Sequence, residues 1–356
     1  MCLNDPTMHS MKALLLSKYK RLEVTDLPVP RAEPDEVLVR VAACGICGSD
    51  VHGYDGSSGR RIPPIVMGHE AAGRIAAIGS RVTGFAEGDR VTFDSTISCG
   101  ACGYCRRGEI NLCDNRQVLG VSCGDYRRSG AFAEFVAVPS RIVYRLPDNL
   151  SFEEAAMLEA VSVAIHAVSL APVSANSTAL VVGAGMIGLL IVQVLRAAGC
   201  SRILVTDIDS SRLKLAQDLG AHAVLNAKLG VARQVGKLTG GAGVDAAMEA
   251  VGHTDSVNAS IESVRKGGTV VLVGNIAPEV MLPLQKVVTR QIRLQGSCAS
   301  AGEYPRAMEL LASGAIQVKN LITAIAPLAE GPLWFERLHT REPNLMKVIL
   351  RPGEAS

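Results

Sequence analysis

Residues 179–190 read ALVVGAGMIGLL, and this stretch decides half of the fold. Gly183, Gly185 and Gly188 stand in G-x-G-x-x-G order, directly after an apolar run of strand character and at the opening of a helix. Alone the motif is weak, but in a strand–turn–helix setting it marks a dinucleotide site. Gly183 permits the tight turn, Gly185 lets the backbone approach a pyrophosphate, and Gly188 lets helix and strand pack closely. Met186 and Ile187 open the helix, whose unpaired N–H groups suit phosphates. Asp207 ends the next run, ILVTD, nineteen positions after Gly188. A carboxylate there accepts from both adenosine ribose hydroxyls and repels a 2′-phosphate, so the predicted cofactor is NAD rather than NADP. Arg212, five residues on, is either a neighbour of the adenine ribose or a solvated helix residue.

Outward from this motif the chain keeps one rhythm. TALVVGAG, IVQVLRAAG, SRILVTD, RLKLAQDLG, HAVLN, VDAAMEAVG, GGTVVLVG and IRLQGS follow one another from about residue 160. Strands alternating with helices predict a doubly wound parallel sheet. The first half differs: VLVRVAA, AAGRIAAIG, DRVTF and AFAEFVAVP are short β runs broken by Gly and Pro, which predict an irregular barrel-like β domain. After about residue 300, YPRAMELLASG reads as a helix and LMKVILRP as a last strand, without the βαβ rhythm. The expected division is therefore α/β, with residues 1–160 and 300–356 in one domain and 161–299 in the other.

Composition narrows the function. The 356 residues suffice for two domains, and their 48% apolar but 4% aromatic content suits Ala/Val/Leu/Ile cores and buried parallel strands. A net charge of +2 with mixed signs offers no basic stripe for nucleic acid. Apolar runs such as MIGLLIVQVL are too short to span a bilayer. The N-terminus carries too short an apolar stretch for a signal peptide, and Met11 is an alternative start that would make the first ten residues an extension. The cysteine usage fits a reducing cytoplasm.

Four of the ten cysteines, Cys99, Cys102, Cys105 and Cys113, share the stretch ISCGACGYCRRGEINLC at the spacing C-x2-C-x2-C-x7-C. Such spacing lets four thiolates converge on one tetrahedral zinc and gives a coreless lobe (residues 95–115) its fold. The rivals are an iron–sulfur cluster, a disulfide pair or free thiols. A bacterial ferredoxin run places its fourth Cys after three residues and before Pro, whereas here the gap is seven and Asp114 follows. Cys2, Cys44, Cys123, Cys200 and Cys298 have no evident metal role. A structural zinc performs no chemistry, so the active site lies elsewhere.

Three further segments carry chemistry: CGICGSDVH (44–52), GHE (68–70) and MLEAVSV (157–163). With the cysteine lobe and the glycines, all in the same order, they make the chain resemble the zinc-dependent medium-chain dehydrogenases, the alcohol and polyol dehydrogenase family. The likeness runs from residue 11 onward. It implies a GroES-like catalytic domain beside a Rossmann domain, two zincs per chain, NAD, and a homodimer or homotetramer. By that likeness Cys47, not Cys44, ligates the catalytic zinc with His69 and Glu70, while Glu159 approaches or ligates it. Asp50 orients the zinc-bound histidine. Ser49 bonds the substrate oxygen and His52 passes its proton on. Val273, Gly274 and Ser297 hold the nicotinamide carboxamide, and Val161 and Val163 pack near the ring. Tyr54 is either a pocket residue or packing.

The implied reaction passes hydride from a secondary alcohol, a polyol or polyol phosphate, to NAD and gives a ketone in the cleft between the domains. An open-site zinc acidifies the alcohol. Cys47 and Glu70 already balance Zn²⁺, so a third anion makes the site net negative, and Glu159 is expected to engage the metal only when the substrate position is empty. Departures from the sorbitol pattern are GSCASAGEY in place of an Arg-Tyr pair and Ala160 in place of Pro. The alternatives are an L-threonine 3-dehydrogenase, a 2,3-butanediol-type dehydrogenase and, remotely, a non-enzymatic zinc-binding interaction protein.

Overall fold

The structure, a computed structural model, describes residues 10–353, so the N-terminal extension before Ser10, with Cys2, lies outside it. The chain divides into two compact units. One runs to Glu159 and takes back Tyr304–Ala312 and the chain from Val318 on; the other comprises Ala160–Glu303 and Ser313–Gln317. The short return of 313–317 has a physical cause. Gln193, fully buried, donates to the Gln317 carbonyl at 3.0 Å and accepts from the Gln317 N–H at 2.7 Å, and Arg196 donates to the Ala315 carbonyl at 2.8 Å. Leaving a buried amide unpaired is costly, so the segment stays with the helix that carries Gln193.

The first unit is built on a seven-stranded sheet. Its centre is β1 (Glu36–Gly45), EVLVRVAACG, buried along almost its whole length, as a strand covered on both faces must be. It pairs antiparallel with β2 (Glu70–Ile78), and the register sets Gly45 opposite Glu70. On its other edge β1 pairs with both Phe135–Pro139 and Lys347–Arg351. The turn after β1 opens α1 (Gly48–Tyr54), with Cys47 as its N-cap residue. Phe132 and Phe335, both fully buried, meet edge to face at 5.6 Å within this core.

The second unit carries a six-stranded, all-parallel sheet. Its strands are β3 (Thr178–Val182), β4 (Arg202–Asp207), β5 (Ala223–Asn226), β6 (Val244–Glu249), β7 (Val264–Leu272) and β8 (Arg293–Gly296). The order is β5-β4-β3-β6-β7-β8, so the chain winds outward from β3, returns, and winds outward on the other side. That reversal between β3 and β6 is where doubly wound sheets bind ligands. The helix α2 (Met186–Ala197) follows β3, and α3 (Ser210–Asp218) follows β4. This is the mixed α/β architecture that the alternating runs predict. No helix among the described residues is long and apolar enough to cross a membrane.

Replacing Phe132 with Ala removes a fully buried ring and leaves a cavity against Phe335. The expected cost is about 3–5 kcal/mol in urea unfolding. An unshifted midpoint would mean that this contact does not organise the first unit.

Candidate active site and metal centres

The cysteine lobe brings its four sulfurs together. The Sγ atoms of Cys99, Cys102, Cys105 and Cys113 all lie within 4.8 Å of one another. Cys102 and Cys105 stand 3.5 Å apart and Cys99 and Cys105 3.9 Å apart. Sulfurs at about 2.3 Å from a tetrahedral zinc are roughly 3.8 Å from each other, so the donor set fits that ion. Backbone N–H groups point at the sulfurs, from Cys99 to Cys113 at 3.2 Å and from Cys102 to Cys99 at 3.4 Å. The N–H groups of Ala101 and Cys102 pull the Cys99 thiol down to about 6, while desolvation and neighbouring thiols push Cys105 up to about 11. Zinc ligands bind as thiolates, and these N–H groups favour that form.

The other described donor cluster contains Cys47, His69 and Glu70, whose ligand atoms also lie within 4.8 Å of one another. Local structure explains the convergence. Glu70 opens β2 opposite Gly45, the last residue of β1, and Cys47 follows two residues later. A Cβ on Gly45 would sit 2.3 Å from Glu70 Oε2, so only glycine leaves room for this carboxylate. One sulfur, one imidazole and one carboxylate make three donors, one fewer than a tetrahedral ion takes, the composition of a catalytic rather than a closed zinc site. Cys44 is fully buried and outside the cluster, with its Sγ turned to the carbonyl of Gly45.

Around these donors lies a charged shell. Asp50, fully buried on α1, accepts from the Cys47 N–H at 3.2 Å through Oδ2. Its Oδ1 stands 3.3 Å from His69 Nδ1, close but out of line for a hydrogen bond. Burial pushes Asp50 upward, but His69 and Arg61 outweigh it and hold the carboxyl at about 2. Burial likewise opposes the charged form of His69, yet Asp50 and Cys47 raise it well above the ordinary imidazole range. Glu159 opens the helix Leu158–Ser169 and is not a member of the three-donor cluster. Burial raises its carboxyl to about 7; His69 and Lys347 oppose the rise, while Glu70 and Asp94 add to it. Ser49 lies exposed on α1, and His52, three residues on, pairs through Nδ1 with Ser57 Oγ at 3.2 Å. Tyr54 is packing: its hydroxyl bonds the Lys20 carbonyl and Glu336, and its ring meets Phe335 at a tilt and His339 edge to face.

In the second unit the glycines form a cradle. Gly183 has φ +97°, which favours glycine, and Gly188 passes so close to Gly183 that an added Cβ would meet its carbonyl oxygen at 1.8 Å. Gly185 caps α2 with open space where its Cβ would be, room a diphosphate can use. Met186 and Ile187 form the first helical positions behind it. Asp207 accepts from the Ala184 N–H at 2.6 Å and the Asp209 N–H at 2.9 Å, bracing the glycine turn. Arg212 is half-buried, its N–H bonded to Asp209. Val273 and Gly274 donate to the Glu249 carbonyl at 2.8 and 3.0 Å. Ser297 donates its N–H to the Leu272 carbonyl at 2.9 Å, and its buried hydroxyl has no hydrogen-bond partner among the described residues.

Comparison with known proteins adds to this geometry. Residues 33–148 match the alcohol dehydrogenase GroES-like domain, and residues 187–313 match the zinc-binding dehydrogenase domain. Sorbitol dehydrogenase of Bacillus subtilis is 36% identical over 97% of this chain and 98% of its own. The chain belongs to the zinc-binding alcohol dehydrogenases. D-arabitol-phosphate dehydrogenase of Enterococcus avium is 35% identical over 93% of this chain and 94% of its own. An alcohol dehydrogenase from Escherichia coli CFT073, crystallised with NADH, superposes with a TM-score of 0.89 at 28% identity, covering 96% of this chain and 99% of that one.

Within this dehydrogenase three residues escaped the sequence reading. Lys347, 3% exposed, donates to Glu70 Oε2 at 2.5 Å and to the Ile46 carbonyl at 3.3 Å. Burial disfavours its ammonium, but Glu70 and Cys47 hold it above its ordinary range. Its ammonium places a buried cation directly beside the Glu70 carboxylate. Arg61 touches Ser49 and Asp50. Glu249, fully buried, takes the N–H groups of Val251 and Gly252 and so ties the loop after β6. Apolar flanks hid Lys347 in LMKVIL, where the one signal was a charge inside an otherwise continuous apolar run.

Lys347→Met should strand Glu70 without its counter-ion. The expected loss is about 3–5 kcal/mol in chelator-treated protein and clearly less when zinc is present, because the metal then compensates the carboxylate. Equal losses with and without zinc, read by urea unfolding, would show that Glu70 and the metal do not meet.

Proposed function

We propose that this dehydrogenase oxidises a secondary alcohol of a polyol or polyol phosphate to a ketone, with NAD as hydride acceptor. The observation that carries the reading is the open three-donor set Cys47, His69 and Glu70 with the hydroxyl of Ser49 two residues from Cys47. The names of the sorbitol and arabitol-phosphate relatives support the substrate class. Zinc bound by Cys47, His69 and Glu70 would supply a Lewis acid that makes the alcohol more acidic, and NAD would accept the hydride. Ser49 accepts the alcohol proton and gives up its own toward His52, which passes it to water. Asp50 holds His69 in place from behind, and Lys347 offsets the charge of Glu70. Glu159, whose carboxyl burial raises, would engage the metal or its water while the substrate position is empty and would give way to the alcohol. Cys99, Cys102, Cys105 and Cys113 would hold a second, structural zinc.

Gly183, Gly185 and Gly188 receive the diphosphate, Asp207 the adenosine ribose, and Val273, Gly274 and Ser297 the carboxamide. The free edge of β8 and the exposed Met281, Leu284 and Val288 before it suit association of two or four copies. Cys44, Cys123, Cys200 and Cys298 form no disulfide among the described residues, which suits a reducing compartment such as the cytoplasm.

Reduction of NAD across a panel of polyols, polyol phosphates, 2,3-butanediol and L-threonine tests the substrate class. Turnover confined to L-threonine or butanediol would replace it. Metal analysis should find two zincs per chain, and mild chelation should abolish activity while the metal of the cysteine lobe remains, since a closed thiolate site exchanges more slowly than an open one. One zinc, or iron in its place, would overturn the two-zinc reading. Asp207→Ser should weaken NAD binding by about 1.5–3 kcal/mol and ease the entry of NADP. A parent enzyme that prefers NADP would overturn the role of Asp207.

A further inference from the structure

Arg61 is 5% exposed, a buried cation that the chemistry above does not use. Its Nη2 donates to Ser49 Oγ and to Asp50 Oδ1, each at 3.3 Å, and its Nη1 lies 3.4 Å from the Arg60 carbonyl. Its Nε is buried without a partner. The surroundings are shaped to hold this side chain. A Cβ on Gly53 of α1 would sit 2.1 Å from Arg61 Cγ, so the absence of a side chain there makes the channel for the arginine stem. The backbone is pinned as well, by a bridge between Arg61 and Ser122 and by flanking bonds from Ile62 to Ser122 at 3.1 Å and from Ser122 to Arg60 at 3.3 Å. A mobile surface arginine would need neither device. Burying a guanidinium also costs free energy that its pairing with Asp50 only partly recovers.

Two chemical facts decide what this placement does. A guanidinium donates hydrogen bonds and accepts none, so Arg61 occupies one lone pair of Ser49 Oγ and leaves the Ser49 proton for another partner. The second lone pair remains to accept an alcohol O–H. On the other side, the same Asp50 oxygen that accepts from Arg61 also faces His69 at 3.3 Å.

We propose that Arg61 is a positioning residue for proton transfer, fixing the rotamer of Ser49 and sharing the charge of Asp50 with His69. The proposal rests on the dehydrogenase reading above, in which Ser49 takes the alcohol proton. During that step the alcohol O–H breaks as a new O–H forms on Ser49 Oγ, and the original Ser49 proton leaves toward His52. Ser49 ends neutral and Arg61 exchanges no proton. A cation beside Oγ disfavours a doubly protonated serine, so the incoming and outgoing protons must move together.

The test is a double-mutant cycle between Arg61→Leu and Ser49→Ala, read with whichever panel alcohol the parent oxidises. Arg61→Leu should lower kcat about 10- to 100-fold with KM little changed, the loss of a hydrogen bond from a charged donor. In the Ser49→Ala background the same change should cost less than about 3-fold, because its partner is gone. Should Arg61→Leu fail to fold, Arg61→Lys carries the cycle, since lysine keeps a buried cation near Asp50 but ends one atom short of the Nη2 position that bonds Ser49. A second readout needs no turnover: zinc release from the resting enzyme to a chelator, followed with a metal indicator. Release should quicken by about 10-fold in Arg61→Leu as Asp50 loses its second anchor. Equal losses of kcat in both backgrounds would make Arg61 a structural residue and overturn the proposal, as would an unchanged kcat. An unchanged release rate would remove the Asp50 half. A parent that oxidises nothing in the panel would defeat the dehydrogenase reading instead, and the release comparison would still decide the Asp50 half.

Discussion

The register that sets Gly45 opposite Glu70 is the constraint on which the metal centre depends. It brings together two stretches separated by more than twenty residues, so that Cys47, just past the end of β1, meets His69 and Glu70 at the start of β2. A slip of one residue would turn the Glu70 side chain to the opposite face of the sheet. Gly45 protects that register from the other side, since any side chain there would occupy the position of Glu70 Oε2. Glu70 thus opens one strand, His69 stands immediately before it, and Cys47 caps the helix that follows its neighbour. Strand and helix ends anchor all three donors, which is how donor geometry is held before a metal arrives.

Electrostatics then distributes charge over this frame. Asp50, Glu70 and Lys347 are almost wholly buried, and each has an opposite charge or a backbone group in contact. Isolated, each would cost several kcal/mol; joined, they form a network in which removing one partner strands another. Lys347 reaches the site from the strand Lys347–Arg351, which pairs with β1, and so links the end of the chain to the donors near its beginning. That link explains why the C-terminal strand returns to the first unit rather than ending the second.

The second unit solves a different problem, presenting backbone rather than side chains. Its three glycines each have a separate spatial reason: positive φ at Gly183, open space at Gly185, and contact with a carbonyl at Gly188. Asp207 and Glu249, at the ends of β4 and β6, spend their carboxylate oxygens on backbone N–H groups of the adjoining turns. A carboxylate oxygen has more than one lone pair, so Asp207 can brace the turn and still accept a ribose hydroxyl.

Much of this was legible in the chain itself wherever the chemistry is local. The Cys99–Cys113 spacing, the glycines before α2 and the strand–helix alternation from about residue 160 each sit in one short window, where spacing translates directly into geometry. CGICGSDVH and GHE named the donors but not their approach, because convergence comes from the β1–β2 register, which no window contains. Tyr54 was ambiguous for the same reason: only its contacts with Phe335, His339 and Glu336, far along the chain, make it packing. Lys347 and Arg61 were invisible as site residues because a charge in sequence is ordinarily a solvated one. Tertiary structure decided both, since burial depends on what covers a side chain, and what covers these two is chain folded back from hundreds of residues away for Lys347 and from across α1 for Arg61.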